Sequence, residues 1–110
     1  METSSLISKY LPMTETAYCI LLSLKEPRHG YGIMQYVEEV TKGRIKIGPG
    51  TMYGTLSKLE NEELIIQDRE EDRKKIYRLN DKGRKVIELE IMRLKELVKI
   101  GDLEMEERYE

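Results

Sequence analysis

One stretch of this chain decides the fold that we expect: Gly48-Pro49-Gly50-Thr51-Met52-Tyr53-Gly54-Thr55-Leu56-Ser57-Lys58-Leu59-Glu60. Its apolar residues recur at the spacing of one helical face, at Met52, Leu56 and Leu59. Gly48 can act as the N-cap, and Pro49 then occupies the first helical position, where its missing N–H costs nothing. The stretch therefore predicts a two-sided helix that begins at Pro49.

The opposite face of this helix is small, hydroxylated or basic, and it carries no carboxylate before Glu60. A solvated surface helix usually mixes both charge signs and avoids glycine, so this face is suited to the close approach of another molecule. Free backbone N–H groups at the N-terminus of a helix favour an anionic partner. We therefore interpret the stretch as a recognition helix. The face consists of Thr51, Gly54, Thr55, Lys58 and Asn61.

The charge of the chain is distributed unevenly. The 110 residues carry a net charge of −2, but residues 42–58 contain four basic residues and no acidic residue. Residues 69–85 contain eight basic residues against four acidic ones, whereas residues 101–110 form an acidic tail. A local basic footprint on a mildly acidic protein is what contact with DNA phosphates requires.

Composition argues against several other classes of protein. No apolar run approaches the ~18 residues that span a bilayer, and no signal-peptide pattern is present, so we expect a cytoplasmic protein without membrane contact. A single histidine, His29, and a single cysteine, Cys19, make a metal site or a catalytic nucleophile with its base improbable, so we predict no enzyme, no metal and no cofactor. The glycines at 48, 50 and 54 lack the Gly-Lys-Ser/Thr ending of a phosphate-binding loop.

Helix signals divide the first half of the chain. Thr14 is the expected N-cap of a helix that runs to about Lys25, and a second helix is expected over residues 31–41, with Gly43 as its C-cap. The alternation in residues 44–47 predicts a short strand. Residues 1–12 remain ambiguous, with a short amphipathic turn as one reading.

The second half of the chain predicts a hairpin and a long helix. Residues 64–69 and 74–79 are expected to be strands joined by the acidic turn 70–73. A final helix is expected from about Lys82 to at least Ile100, capped by Asn80 or Asp81. This order predicts a mainly α protein with a small β-hairpin (α+β). We divide it into a winged helix-turn-helix domain over residues 1–80 and a C-terminal dimerisation helix with its acidic tail over residues 81–110.

The final helix carries more apolar surface than its own domain needs. A continuous stripe follows the i, i+4, i+7, i+11 spacing, and further apolar residues lie off that stripe. A two-fold partner would cover the same patch on both chains, so we predict a homodimer. The first helix, which is apolar nearly all round, is the expected second contributor. The predicted interface residues are Ile87, Ile91, Leu94, Val98, Tyr18 and Leu22.

Short motifs in this order also resemble a known family. They are residues 20–24 (Ile-Leu-Leu-Ser-Leu), 29–33 (His-Gly-Tyr-Gly-Ile), 48–54, 59–60, 64–65, 77–79 and the pair 82–83. The chain resembles the PadR family of bacterial transcriptional regulators, in particular the short members with a single C-terminal helix, over roughly residues 12–85. The resemblance implies a homodimeric DNA-binding repressor whose final helix joins the subunits and whose third helix lies at the DNA with Tyr53.

We assign the DNA contacts to the third helix and to the basic hairpin. The alternatives are that Tyr53 packs within the domain, that the hairpin is an ordinary solvated turn, and that the winged module binds another protein without specific DNA binding. Some members of the family bind aromatic effectors, but the final helix has no aromatic residue before Tyr109, so a small-molecule effector stays open and unassigned. The predicted DNA-binding residues are Gly50, Thr51, Tyr53, Gly54, Thr55, Lys58, Arg69, Arg73, Lys74, Lys75 and Arg78.

Overall fold

Helices and one small sheet form a head from which a long C-terminal helix projects. The computed structural model describes residues 2–107. The helices are α1 (Thr3–Tyr10), α2 (Glu15–Ser23), α3 (Gly30–Val40), α4 (Pro49–Asn61) and α5 (Asp81–Glu107). The strands are β1 (Arg28–His29), β2 (Ile65–Glu71) and β3 (Lys74–Leu79), in the antiparallel order β1-β3-β2. The predicted α+β winged-helix class is confirmed.

The core lies between α2, α3 and α4. Ile20, Leu21 and Ile33 are fully buried there. The apolar face predicted for α4 packs against them, since Met52, Leu56 and Leu59 are at most 3% exposed. Burying a side chain of this size contributes about 1.5–3 kcal/mol. The apolar face therefore fixes the rotation of α4 about its axis, and with it the residues that α4 presents to solvent.

The helix boundaries follow local capping. The Ala17 N–H donates to Oγ1 of Thr14 at 3.1 Å, which confirms Thr14 as the N-cap of α2, although α2 ends at Ser23 rather than Lys25. At the end of α3 the left-handed conformation begins one residue before the predicted cap, at Lys42 with φ 53°. Gly43 follows with φ 78°, and its N–H donates 2.7 Å to the Glu38 carbonyl oxygen, closing a Schellman-type end.

The predicted strand over residues 44–47 is wrong, because that segment is irregular. Its alternation reflects packing: Ile45 and Ile47 pack against the core, whereas Lys46 faces outward within 3.9 Å of Glu38. The third strand is instead β1, where Arg28 pairs with Tyr77 across the sheet. A two-residue strand is too short to show a periodic pattern in the sequence.

The hairpin is longer than predicted, since β2 continues to Glu71. Only two residues connect the strands, Asp72 with φ 49° and Arg73 with φ 66°. Two consecutive positive φ values are the signature of a type I′ turn, whose twist matches that of the flanking strands. Neither residue is glycine, so the turn lacks the residue that usually marks so tight a connection. An irregularity in register between Gln67 and Arg69 leaves Asp68 without a partner on β3.

The ambiguous N-terminal segment forms a helix. Leu6 and Tyr10 of α1 are 4% and 9% exposed, and α1 packs against α5. The Tyr10 hydroxyl lies 3.4 Å from the carbonyl oxygen of Glu62, at the C-terminal end of α4. The first helix therefore bridges α5 and the end of α4.

The long helix α5 belongs to the head only over its first three turns. Asn80 is its N-cap, since the Gly83 N–H donates to the Asn80 side-chain oxygen at 2.7 Å. Val86, Ile87 and Leu89 are buried in the core, so Ile87, predicted for the dimer interface, is covered by its own chain at 5% exposure. Ile91 still packs against the core, and from Lys95 to Glu106 the helix is exposed and presents apolar side chains to solvent.

A buried carboxylate anchors α5 to the segment before α2. Glu90 is 1% exposed; it accepts 2.7 Å from the Met13 N–H and 3.0 Å from the Arg93 guanidinium. Burial opposes ionisation of this carboxyl, but the bonds from Arg93 and Met13 outweigh it and lower the pKa of Glu90. The charged carboxylate therefore ties the base of α5 to the start of the head.

Gly83 has the least free space of the glycines in this chain, which predicts a large effect of one added methyl group. A Cβ at Gly83 would overlap the Leu64 carbonyl oxygen and lie 2.9 Å from its carbon, and backbone atoms cannot move aside cheaply. We expect Gly83→Ala to destabilise the protein by about 1–3 kcal/mol or more. Urea unfolding at one protein concentration measures this. Gly54→Ala, whose Cβ meets open space within a helix, is the matched control and should stabilise by about 0.5–1 kcal/mol.

Candidate nucleic-acid interface

The N-terminus of α4 is open to solvent. Gly48 precedes it without a side-chain cap, and the first turn contains no acidic residue. Gly50 and Thr51 are both exposed. Because the first N–H groups of a helix have no partner within it, this end carries a partial positive charge without a carboxylate to neutralise it.

The exposed face of α4 is flat at its centre. A Cβ added at Gly50 or Gly54 would meet nothing within 4 Å. Lys58 is exposed beside Gly54, and Thr55 is half-buried at the edge of the face. The backbone of α4 is therefore accessible along a line that an ordinary helix would cover with side chains.

A groove separates α4 from the hairpin, and we call it the wing groove. It has a volume of about 440 Å³ and brings Tyr53 and Ser57 of α4 opposite Arg73, Lys74 and Lys75 of the hairpin. Its other lining residues are His29, Gly30, Tyr31, Glu70 and Tyr77. Residues predicted separately for the helix and for the hairpin thus share one concave surface. His29, Gly30 and Ser57 were missed by sequence reasoning; Ser57 carried a signal, since it follows Tyr53 by one helical turn.

Tyr53 is neither a core residue nor fully free. It is 57% exposed, yet its hydroxyl would lie 3.0 Å from a Cβ added at Gly30. The same Cβ would lie 2.6 Å from Cε of Met52. The missing side chain at Gly30 therefore lets α4 approach the start of α3 and leaves the Tyr53 ring over the floor of the wing groove.

Ion pairs divide the basic residues of the hairpin into two groups. Nε of Arg69 lies 2.6 Å from Glu71, and Nε of Arg78 lies 2.7 Å from Asp68. Arg69 also pairs with Asp68, and the hydrogen bonds from Arg78 and Arg69 lower the pKa of that carboxyl. Arg69 and Arg78 are thus engaged on the sheet. This grouping depends on the irregular register at Asp68, which the sequence does not reveal.

The remaining predicted cations are not engaged in this way. Over residues 2–107 no ion pair joins Lys58, Arg73, Lys74 or Lys75 to a carboxylate. Three of these four line the wing groove, and the fourth lies on α4. Cations without an ion pair in this range are therefore present both on α4 and on the hairpin that faces it.

A second surface joins most of the residues predicted for dimerisation. Tyr18, Ile91, Leu94 and Val98 line a shallow apolar groove of about 310 Å³ between α2 and α5, together with Lys95. Tyr18 and Leu22 are partly buried against the core, whereas Val98 is 63% exposed. Met105 lies on the same face of α5 as Val98, whereas Leu97, Ile100 and Leu103 project to other sides of the helix; each of the four is about half exposed.

Between residues 2 and 107 no three histidine, cysteine, aspartate or glutamate side chains cluster as metal ligands would. None of the helices in that range has the length and apolar character needed to span a membrane.

Fold and surface together define a winged helix-turn-helix protein. Residues 20–89 match the model of the transcriptional regulator PadR-like family. The chain therefore belongs to the PadR-like family of transcriptional regulators.

Curated relatives match part of this chain. The regulator YqjI of Escherichia coli K12 is 33% identical over 64 residues, which are 58% of this chain and 31% of that protein. A 37.1 kDa protein of transposon TN4556 from Streptomyces fradiae is 38% identical over 64 residues, 58% of this chain and 18% of that protein. The match thus spans less than a third of either relative.

Solved structures share the fold over most of the chain. A PadR-like transcription factor from Bacteroides fragilis is 29% identical with a TM-score of 0.67, covering 79% of this chain and 86% of that one. A complex structure of RosR from H. salinarum is 21% identical with a TM-score of 0.70, covering 96% and 99%. At that identity the second likeness supports the fold alone.

Proposed function

We propose that this chain is a sequence-specific double-stranded DNA-binding regulator that acts as a homodimer, represses transcription and works in the cytoplasm. The observation that carries the proposal is the exposed face of α4, which has no carboxylate before Glu60, with Arg73, Lys74 and Lys75 across the wing groove. Within residues 2–107 the cations of the wing groove form no ion pair and outnumber its carboxylate, Glu70, and Lys58 adds positive charge on the other side of α4, which together favour a polyanion. A protein partner would be equally served by a face of mixed charge.

In the proposed complex α4 lies in the major groove, which is wide enough to admit a helix. The open backbone at Gly50 and Gly54 allows the helix axis to approach the base edges closely. Thr51 and Tyr53 then reach the bases, whereas Lys74 and Lys75 contact phosphates. Arg69 and Arg78 have a smaller part, because binding a phosphate would require them to leave Asp68.

In the proposed homodimer the two chains contact each other through the distal half of α5. Val98 and Met105 continue the apolar stripe of Ile91 and Leu94 on one face of α5, and they are 63% and 47% exposed on the part of the helix that has left its own head. Covering such side chains is favourable by roughly 25 cal/mol for each Å² removed from water. A second copy supplies the same apolar stripe and places two α4 helices on one duplex. Occupying a promoter in this way is sufficient for repression.

The proposal predicts discrimination between DNA sequences. The full chain should bind a duplex from the region upstream of its own gene at least about 10³-fold more tightly than a scrambled duplex at physiological salt. Half-sites should be spaced about one helical turn, ~34 Å, between centres. Gel-shift titration and footprinting measure both quantities. Equal affinity for the two duplexes would contradict the proposal and favour the protein-binding alternative.

Gly54→Ala should separate stability from DNA binding. The added methyl raises helix stability by about 0.5–1 kcal/mol, because the site is open and helical. The same methyl projects from the centre of the face that approaches the bases, so affinity for the specific duplex should fall at least about ten-fold. A protein that is more stable and binds the duplex as well as wild type would argue against insertion of this face.

The stripe on α5 predicts the effect of a buried charge. Val98→Asp should yield monomers, because two unpaired carboxylates would be removed from water at the interface. DNA affinity should then fall, since the half-sites are no longer linked. Analytical ultracentrifugation measures the mass against 13.0 kDa for one chain. Met92→Asp is the matched control, because Met92 is 65% exposed and lies outside the apolar groove. A wild-type protein that sediments as a monomer would contradict the proposal.

A further inference from the structure

A second groove flanks α4 on the side away from the hairpin, and we call it the junction groove. It lies between α4 and the junction of α1 with α2, and its volume is about 220 Å³. The lining includes Lys9, Tyr10 and Thr14 from the N-terminal segment and Thr55, Lys58 and Glu62 from α4 and its C-cap. None of the N-terminal residues is assigned a role by the proposed function.

The two grooves lie on opposite flanks of one helical face. Successive helical residues are turned by about 100°, so Tyr53 and Ser57 project to one side of Gly54, whereas Thr55 and Lys58 project to the other. The first pair lines the wing groove and the second pair lines the junction groove. The open backbone at Gly54 is therefore bordered by a concave surface on each side.

The junction groove gathers positive charge around a tyrosine. The ammonium groups of Lys9 and Lys82 lie 5.3 Å and 5.1 Å from the centroid of the Tyr10 ring. No ion pair of Lys9, Lys58 or Lys82 with a carboxylate occurs within residues 2–107. Glu62 is the one carboxylate on the lining. Lys9 and Lys58 line the groove, whereas Lys82 lies against the Tyr10 ring outside the lining, and the combined positive charge of the three ammonium groups favours an anion nearby.

The groove is held in shape by contacts behind it. The Glu62 carbonyl oxygen, at the C-terminal end of α4, accepts two side-chain hydrogen bonds. The Tyr10 hydroxyl donates to it at 3.4 Å and Nζ of Lys82 donates at 3.2 Å. Leu6 and Tyr10 are buried, so α1 cannot rotate without exposing apolar surface. Lys9 is therefore carried by a helix that is tied to the end of α4, and its position follows that of the recognition face.

We propose that the junction groove binds a phosphate of the DNA strand opposite to the one that the wing grips. Lys9 and Lys58 supply the cations, and the hydroxyls of Thr14 and Thr55 donate hydrogen bonds to the phosphate oxygens. The Thr14 oxygen already accepts from the Ala17 N–H, which leaves its O–H proton available. This proposal rests on the proposed function. It follows from geometry, because a helix in the major groove has one phosphate backbone on each side.

The test compares single charge changes in the full chain on the upstream duplex. Log affinity falls linearly with log salt concentration, and Lys9→Gln should make that slope less steep by about 0.9 per lost contact, hence by about two for a dimer. The same substitution should reduce affinity on the order of five-fold per half-site. The loss should be the same for scrambled DNA, since phosphates carry no sequence. Glu62→Gln should act in the opposite direction and raise affinity, because it removes the carboxylate from the lining while the Glu62 carbonyl keeps its partners.

Controls separate this proposal from the one on which it rests. Lys99→Gln removes the same charge from the exposed far part of α5 and should leave the salt slope unchanged. Ethylation interference should show that Lys9→Gln and the double variant Lys74→Ala/Lys75→Ala lose contacts on opposite strands. Thermal unfolding of Lys9→Gln at the wild-type temperature shows that the fold is intact.

Two results distinguish failure of the phosphate site from failure of the proposed function. If Lys9→Gln keeps the wild-type slope and interference pattern while Lys74→Ala/Lys75→Ala lowers the slope, the junction groove binds no phosphate and the proposed function stands. If the wild-type chain binds the upstream and scrambled duplexes alike, the proposed function fails first and the phosphate clamp fails with it.

Discussion

The structure depends on the joint around Leu64, where α4, the sheet and α5 meet. The Leu64 N–H donates 3.0 Å to the Leu59 carbonyl oxygen, which closes α4, and Glu63 takes the left-handed conformation with φ 61°. The Leu64 carbonyl accepts 3.2 Å from the Asn80 N–H, and Gly83 packs against it so closely that no Cβ fits. Backbone polar groups in such a place must be paired, so the joint tolerates little displacement. The direction of α5 is therefore set relative to the exposed face of α4.

This rigid relation matters for the proposed function. A dimer made through the far end of α5 would hold two α4 faces at a fixed separation, and α1 supports the arrangement by contacting both α5 and the end of α4. The face itself is not optimised for stability, since Gly50 and Gly54 sit in open space within a helix. Alanine would stabilise these positions, so their glycines are best explained by what approaches them.

The basic residues of this protein differ in whether they form ion pairs, and this difference affects the available positive charge more than their number does. The hairpin carries five of the predicted DNA-binding cations, but Asp68 and Glu71 engage Arg69 and Arg78 on the sheet. Arg73, Lys74 and Lys75 instead face α4 across the wing groove. On the other flank of α4, Lys9 and Lys58 both line the junction groove. A net charge of −2 thus coexists with basic residues on both flanks of α4.

The sequence by itself determined the features that depend on near neighbours along the chain. The spacing of Met52, Leu56 and Leu59 predicted the buried face of α4, and Thr14 predicted the start of α2. Two strand-like runs joined by an acidic turn predicted the hairpin. Tertiary structure alone decided which distant residues meet. It paired Arg28 with Tyr77, buried Ile87 while exposing Val98, and folded residues 3–10 into a helix against α5. The physical reason is range: helical periodicity and capping act within about one turn, whereas pairing and burial depend on surfaces that only the complete fold brings together.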